Sequence, residues 1–296
     1  MYDRLPKSYF PKTIYINHEA PFTEVVNEVQ ANSFSYPFIV KPTIGMEGIL
    51  FRKIDREEHL QAYHQQIPVD YMIQEFANYP LEIGLFYYRY PDQKSGVISA
   101  LFFKKFPVIK GDGISSIKEL LERDRPEITE ELTKLDPSEL EKILAKDEMI
   151  NLSFVGNRYH GVTFHDLSEK IDAELLALFD NLSHSSGFYF GRYDIRCASI
   201  EDLKNGINFS ILEFNGAGSI PNHIYTGKYS IWQAYKEIAK HWKVLYQISL
   251  YNHRQGLPYW SLLKGAFYLR EAKKRFRFLR KCDAALILKN QAAITF

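Results

Sequence analysis

The chain has 296 residues, 46% of them hydrophobic and 25% charged, with a formal net charge of +1. That length can bury one large core or two lobes, and the near-zero net charge excludes a nucleic-acid partner held by a global field. Two cysteines, Cys197 and Cys282, make neither a disulfide framework nor a metal spacing. No stretch reaches the ~18 apolar residues of a membrane span, and the first residues lack a signal-peptide core, so the expected compartment is the cytoplasm.

Residues 1–20, rich in Pro and aromatics, read as extended. T-E-V-V-N-E-V-Q predicts an amphipathic helix from Pro21 to Ala31. Y-P-F-I-V-K-P (36–42) and I-L-F-R-K-I (49–54) read as the two strands of a hairpin around the Gly-bounded T-I-G-M-E-G. Asp55 is placed as the N-cap of a helix over R-E-E-H-L-Q-A-Y. Strands follow at 71–76, 81–90 and 96–106, the last two antiparallel, and Ser115 or Ser116 caps a helix that runs to residue 121. Residues 126–147 read as charged and helical, 148–166 as irregular with strand character, and 169–184 as a helix. Strands at 187–197 and 208–215 pair antiparallel, and long helices are predicted over 229–247 and 258–281. Antiparallel hairpins with intervening helices make the fold class α+β rather than alternating parallel βαβ units.

Side chains alternate between the two faces of a strand. Along 187–197 this puts Arg192, Asp194 and Arg196 on one face, with Tyr193 and Ile195 on the other. Along N-F-S-I-L-E-F-N-G-A-G-S-I-P (208–221) it puts Phe209, Ile211, Glu213 and Asn215 together, opposite Leu212 and Phe214. If these strands pair, Asp194, Glu213, Asn215, Arg192 and Arg196 share one site. Three oxygen ligands suit Mg²⁺, and arginine beside a metal suits the charge that develops in phosphoryl transfer. The same residues also read as a surface ion-pair network.

Lys41 closes an apolar strand just before Gly45 and Gly48, an arrangement that can clamp phosphate or simply turn a hairpin. In Q-E-F-A-N-Y-P-L-E, Glu75 closes one strand and Glu82 opens the next. Such a hinge can offer backbone groups to an adenine edge and a carboxylate to ribose hydroxyls, or be a solvated turn. None of the histidines has metal spacing. His223 follows the strand 208–215 closely, and Asn151, Arg158 and His160 lie in the irregular segment 148–166. Cys197 reads as a packed thiol. The basic stretch 258–281, with Trp260, Leu262, Leu263, Phe267, Tyr268 and Leu269, can lie on an anionic membrane or dock on a partner, but reads better as a helix packed on its own domain.

Six words occur in a definite order: F-I-V-K-P-T-I-G-M-E-G, I-Q-E-F-A-N-Y-P-L-E, V-I-K-G-D-G-I-S-S-I-K-E-L, N-L-S-F-V-G-N, G-R-Y-D-I-R and I-L-E-F-N-G-A-G-S-I-P. Over about residues 20–225 the chain thereby resembles the ATP-grasp carboxylate–amine ligases, in their D-alanine–D-alanine ligase and cyanophycin synthetase branches. The resemblance implies two α+β lobes whose antiparallel sheets grip a nucleotide, divided as 1–77 and 78–228, with 229–296 as a helical extension. It implies that Lys41, Gly45, Gly48, Glu75, Phe76, Glu82 and Lys105 bind ATP, with Lys104 one residue of register away from Lys105. It further implies that Asp194, Glu213 and Asn215 ligate Mg²⁺, and that Arg192 and Arg196 are catalytic. In the implied reaction a carboxylate attacks the γ-phosphate and an amine captures the acyl phosphate. The implied partners are small-molecule or peptide carboxylates and amines, without nucleic acid, and a homo-oligomer stays open. A kinase acting on a hydroxyl and a nucleotide-binding module without catalysis are the alternatives. Only residues 1–20 precede the first matching helix, where the family carries a further domain with an additional phosphate-binding lysine. Neither Lys7 nor Lys12 stands in a matching context, so that domain is expected to be missing, replaced by the C-terminal helices or lost by truncation. The chain also resembles bacterial ATP-grasp proteins that share its H-I-Y and I-W-Q-A-Y-K words, and D-alanine specificity is not implied.

Overall fold

The computed structural model describes residues 4–125, 140–152, 156 and 161–286. In chain order it contains β1 (Thr13–Ile16), α1 (Phe22–Ala31), β2 (Phe38–Pro42), β3 (Arg52–Ile54), α2 (Glu57–Gln66) and β4 (Tyr71–Glu75). Then come β5 (Leu81–Tyr88), β6 (Val97–Lys105), β7 (Val108–Lys110), α3 (Ile117–Asp124), β8 (Met149–Asn151) and β9 (Thr163–Asp166). The last are α4 (Ala173–Ser186), β10 (Phe190–Cys197), α5 (Ile200–Lys204), β11 (Phe209–Asn215), α6 (Ile231–Arg254) and α7 (Leu262–Ala285). Every pairing among the described strands is antiparallel, so the class is α+β as expected.

The chain divides into two units, each built from separated stretches. One comprises Met1–Pro11, Ala77–Lys105 and Thr163–Ser261, the other Lys12–Phe76, Phe106–Val162 and Leu262–Phe296. This differs from the expected contiguous division at 1–77, 78–228 and 229–296. The two predicted C-terminal helices part company because they bury different faces: α7 sends Phe276, Leu279 and Cys282 into the core around β2 and β4, whereas His241 of α6 packs on Phe86 of β5.

In the second unit the sheet order is β1-β4-β2-β3. Alternation sends Ile16, Phe38, Val40, Ile54, Tyr71 and Ile73 to one face, where Val25 and Val29 of α1 and Leu60 and Tyr63 of α2 cover them. The opposite face carries Thr13, Gln74, Ile39 and Lys53 in register, with Lys41 beside them. The hairpin loop tightens around Gly48, whose φ of 76° lies in the left-handed region that glycine enters freely. Turns at Ile49 and Phe51 shorten β3 to residues 52–54. Arg56, not Asp55, occupies the N-cap of α2, because Asp55 pairs with Lys53 at 3.2 Å. A capping box between Ser116 and Glu119 starts α3, which buries Leu120 and Leu121 against Ile109 of β7 and Ile150 of β8. Of the segment 126–147, expected to be helical, residues 141–147 are turns and a bridge from Ser116 to Ile143; 126–139 lie outside the described residues.

In the first unit the sheet order is β11-β10-β5-β6-β9. One face is apolar: Leu85 of β5, Leu101 of β6, Tyr193 and Ile195 of β10 and Ile211 of β11 pack under Leu175 and Phe179 of α4 and Leu203 of α5. Asp172 starts α4 by accepting from the Leu175 amide at 3.0 Å, a few residues later than expected.

One expectation from alternation fails in β11. Asp194 stands opposite Glu213, yet Ile195 stands opposite Ile211, so Leu212 is the extra residue of a β-bulge. The bulge resets the alternation. Phe209 and Ile211 therefore join the apolar core, while Glu213 and Asn215 fall on the opposite face beside Asp194 and Arg192.

That polar face depends on a missing side chain. Gly84 stands opposite Asp194, and the Phe102 ring occupies the space a Cβ at residue 84 would need, 2.1 Å away. Gly84→Ala must push this ring aside, which should cost about 1–3 kcal/mol. A urea midpoint lowered accordingly, with an unchanged slope, is the expected result; an unchanged midpoint would show that the ring yields freely.

Candidate active site

Strand pairing decides which polar side chains meet. Across β5, Arg192 stands opposite Phe86, Asp194 opposite Gly84 and Arg196 opposite Glu82; across β11, Arg192 stands opposite Asn215 and Asp194 opposite Glu213. Lys104 continues the row of Ala100 and Phe102 on β6. Sequence alternation thus placed the strand 187–197 correctly, and pairing adds residues from three neighbours.

The result is a ladder of alternating charge. Arg196 Nε donates to Glu82 Oε2 at 3.1 Å, and Lys104 Nζ donates to Glu82 Oε1 at 3.1 Å. Lys104 Nζ also lies 3.1 Å from Asp194 Oδ1. Arg192 grips Asp194 with two prongs, Nε to Oδ1 and Nη2 to Oδ2, each at 2.9 Å. Asn215 Nδ2 adds a fourth donor to Asp194 at 3.1 Å, and Arg196 Nη1 donates to the Ala77 carbonyl at 3.3 Å.

Glu82, Lys104 and Asp194 are buried, and charges are costly to bury unless partnered. Burial pushes the Asp194 carboxyl up, but Arg192 and Lys104 outweigh it and hold it at about 2. Burial likewise pulls the Lys104 ammonium down, and Asp194 and Glu82 more than restore it. Three cations face two buried carboxylates, and the exposed Glu213 at the rim supplies the third negative charge, so the formal charges of the cluster cancel.

The two carboxylates differ in what they can still accept. A carboxylate has about four acceptor positions. On Asp194 all four are taken, by Arg192 twice, Lys104 and Asn215. On Glu82 two are taken among the described residues, by Lys104 and Arg196. Asp194, Glu213 and Asn215 are the right donor types in the right register for a hard cation, which would enter by displacing one partner of Asp194. Among the described residues, no group of three or more His, Cys, Asp or Glu is arranged to hold a metal ion.

The remaining predicted residues are placed as follows. Of the two candidate lysines on β6, Lys104 joins the ladder; Lys105 alternates to the other face and is exposed. Its selection from sequence is corrected by one position. Lys41, Gly45, Gly48, Glu75 and Phe76 belong to the other unit. There Lys41 Nζ donates to Gln74 Oε1 at 2.9 Å, and Glu75 is exposed at the end of β4. Sequence reasoning missed Lys53, a buried cation 5.5 Å from the centre of the Phe76 ring, on the same sheet face as Lys41. Strand alternation from Ile54 was the signal that could have found it. Asn151 closes β8, and Arg158 and His160 lie outside the described residues. Burial pushes the Cys197 thiol up to about 12, which makes it a packed thiol.

His223 is buried beside His241 and 3.6 Å from Glu237. Neither of its ring nitrogens has a hydrogen-bond partner among the described residues. Burial, reinforced by His241, pulls its pKa down to about 4.

No protein-family model matches the chain, and no curated protein matches it in sequence. Several solved structures are similar. A bifunctional glutathione synthetase from Pasteurella multocida aligns at 15% identity and a TM-score of 0.38, over 73% of this chain and 31% of that one. A D-alanine–D-alanine ligase from Bacillus anthracis aligns at 11% identity and a TM-score of 0.43, over 83% and 62%. The ATP-grasp ligase PsnB, in complex with a minimal precursor, aligns at 11% identity and a TM-score of 0.41, over 80% and 55%. The chain thus spans from about a third to three fifths of the length of these proteins. Likeness this distant leaves the chemistry to be argued from the chain's own residues.

Asp194→Asn leaves Lys104 and Arg192 buried against a neutral amide. The expected loss is about 3–5 kcal/mol, read from the urea midpoint at neutral pH; an unchanged midpoint would show that the ladder is not electrostatically coupled. His223 should add a separate pH dependence. Its value is about 4 in the folded chain against 6.5 in the ordinary state, so the unfolded chain binds the extra proton first and stability falls as pH drops from 6.5 to about 4. In thermal melts across that window, His223→Phe should lose less than the parent protein.

Proposed function

We propose that this chain is an ATP-grasp enzyme, an ATP- and Mg²⁺-dependent ligase that joins a carboxylate of an amino acid or peptide to an amine. The observation that carries this reading is the ladder Arg196–Glu82–Lys104–Asp194–Arg192, with Glu213 and Asn215 across β11. These are the positions to which the family resemblance in the sequence gives ribose, phosphate, metal and catalytic roles. Their chemistry agrees with those roles.

Glu82 keeps two acceptor positions, the number that a ribose diol requires. Lys104 and Arg192 supply an ammonium and a planar guanidinium where charge gathers on a transferred phosphoryl group. Asp194, Glu213 and Asn215 would hold Mg²⁺, which when bound neutralises phosphate oxygens. In the other unit, Lys41 and Lys53 are cations suited to phosphate, and the backbone at Glu75 and Phe76 to an adenine edge.

The carboxylate oxygen of the first substrate attacks the γ-phosphorus, and the bond to ADP breaks. The amine then attacks the carbonyl carbon of the acyl phosphate. The C–N bond forms, phosphate departs with the C–O bonding pair, and the amine proton passes to phosphate or water. Arg192 stabilises the negative charge that builds on oxygen in both steps, so positioning and electrostatics are the protein's contribution.

The test uses a non-hydrolysable ATP analogue with Mg²⁺, followed by ATP, Mg²⁺, mixed amino acids and hydroxylamine. The analogue should raise the Tm, by an amount equivalent to about 2.7 kcal/mol at a hundredfold excess over Kd. Lys104→Met should abolish the shift. Hydroxamate should form, and Arg192→Met should slow it at least ~100-fold. A phosphorylated product without hydroxamate would indicate a kinase instead, and no Tm shift with any nucleotide would overturn the reading.

A further inference from the structure

The net charge of +1 hides a strong asymmetry. Residues 228–296 carry fourteen Lys and Arg against three Asp and Glu, a net charge of +11, and the rest of the chain carries −10. All three tryptophans, Trp232, Trp242 and Trp260, also fall in this segment, and all are exposed.

Helix α7 makes the arrangement concrete. Its C-terminal half is anchored: Phe276, Leu279 and Cys282 enter the core of their unit, and Asp283 pairs with Arg52 at 2.9 Å and accepts from the Leu50 amide at 2.9 Å. Its N-terminal half, expected from sequence to pack on its own domain, leaves several large apolar side chains exposed. Leu262 is 93% exposed and Leu263 85%, with Phe267 and Leu269 exposed beside them. On the face turned away from the core, Ala266, Leu269, Arg270, Lys273, Lys274 and Arg277 follow one another at helical spacing. Apolar side chains therefore give way to cations along a single outward face. Helix α6, in the other unit, has the same character by itself, with Trp232, Tyr235, Trp242 and Tyr246 exposed among Lys236, Lys240 and Lys243.

We propose that the outward face of α7 docks on an anionic lipid surface. Arg270, Lys273, Lys274 and Arg277 meet headgroup phosphates, and Leu262, Leu263, Phe267 and Leu269 enter the boundary with the acyl chains. Charge complementarity selects an anionic occupant. The bare leucines select lipid over nucleic acid, whose phosphates and bases give aliphatic side chains little to bury against. Exposed tryptophan and tyrosine belong at the headgroup level. Among the described residues no helix is long and apolar enough to cross a membrane, so α7 lies on the surface.

The experiment co-sediments the full chain with vesicles of phosphatidylcholine alone or mixed with phosphatidylserine, at low and raised salt, and follows tryptophan fluorescence. Binding to the mixed vesicles only, weakened by salt, is expected. The triple variant Lys273→Glu, Lys274→Glu, Arg277→Glu should weaken binding at least about tenfold, since each basic residue near such a surface contributes several-fold. The double variant Leu262→Ser, Leu263→Ser should weaken it comparably at unchanged charge. All five side chains are exposed, so the variants should keep the parental Tm, and Tm is measured alongside. Absence of binding to the mixed vesicles overturns the proposal, as does binding as tight as the parent's by either variant. So does a dimer that depends on Leu262 and Leu263 and ignores vesicles, or tight binding of an RNA oligonucleotide without vesicle binding.

Discussion

The first unit depends on keeping charged groups dry on one face of a sheet. Glu82, Lys104 and Asp194 are buried, and each would be costly there alone. They are tolerable because Lys104 lies between the two carboxylates, and each carboxylate lies between Lys104 and an arginine. This requires β5, β6 and β10 to be adjacent and in a single register, since a one-residue slip would turn an entire row to the apolar face. The opposite face, where Phe179 packs on Tyr193, enforces that register through hydrophobic burial. The apolar side supplies the energy and the polar side the specificity.

The same ladder explains why the site is poised rather than merely charged. Asp194 is saturated by its own neighbours, and Glu82 is not. A cation at Asp194 must compete with Lys104, Arg192 or Asn215, and phosphate oxygens are the groups best able to draw the first two away.

The molecule also separates its charge by region. The segment that carries α6 and α7 is strongly basic and aromatic, while the remainder is acidic. Leu279 and Asp283 anchor one end of α7, while Leu262 and Leu263 at its other end are exposed. A helix held in this way can present a surface without becoming part of the core.

Local periodicity was enough to read the α+β class, most of the longer strands and helices, and the common face of Arg192, Asp194 and Arg196, because strand alternation depends only on neighbouring residues; it passed over the short β7 and α5. It was not enough for β11, where the bulge at Leu212 sends Phe209 and Ile211 to the core and keeps Glu213 and Asn215 at the site. Nor could it choose Lys104 over Lys105, since that choice is made by the register of β6 against β5. The interleaved units, and the split of α7 into a packed and a bare half, were likewise decided by tertiary structure. Strand partners, bulges and the face a helix buries are set by residues far apart in the chain, and their energies appear only when those residues meet.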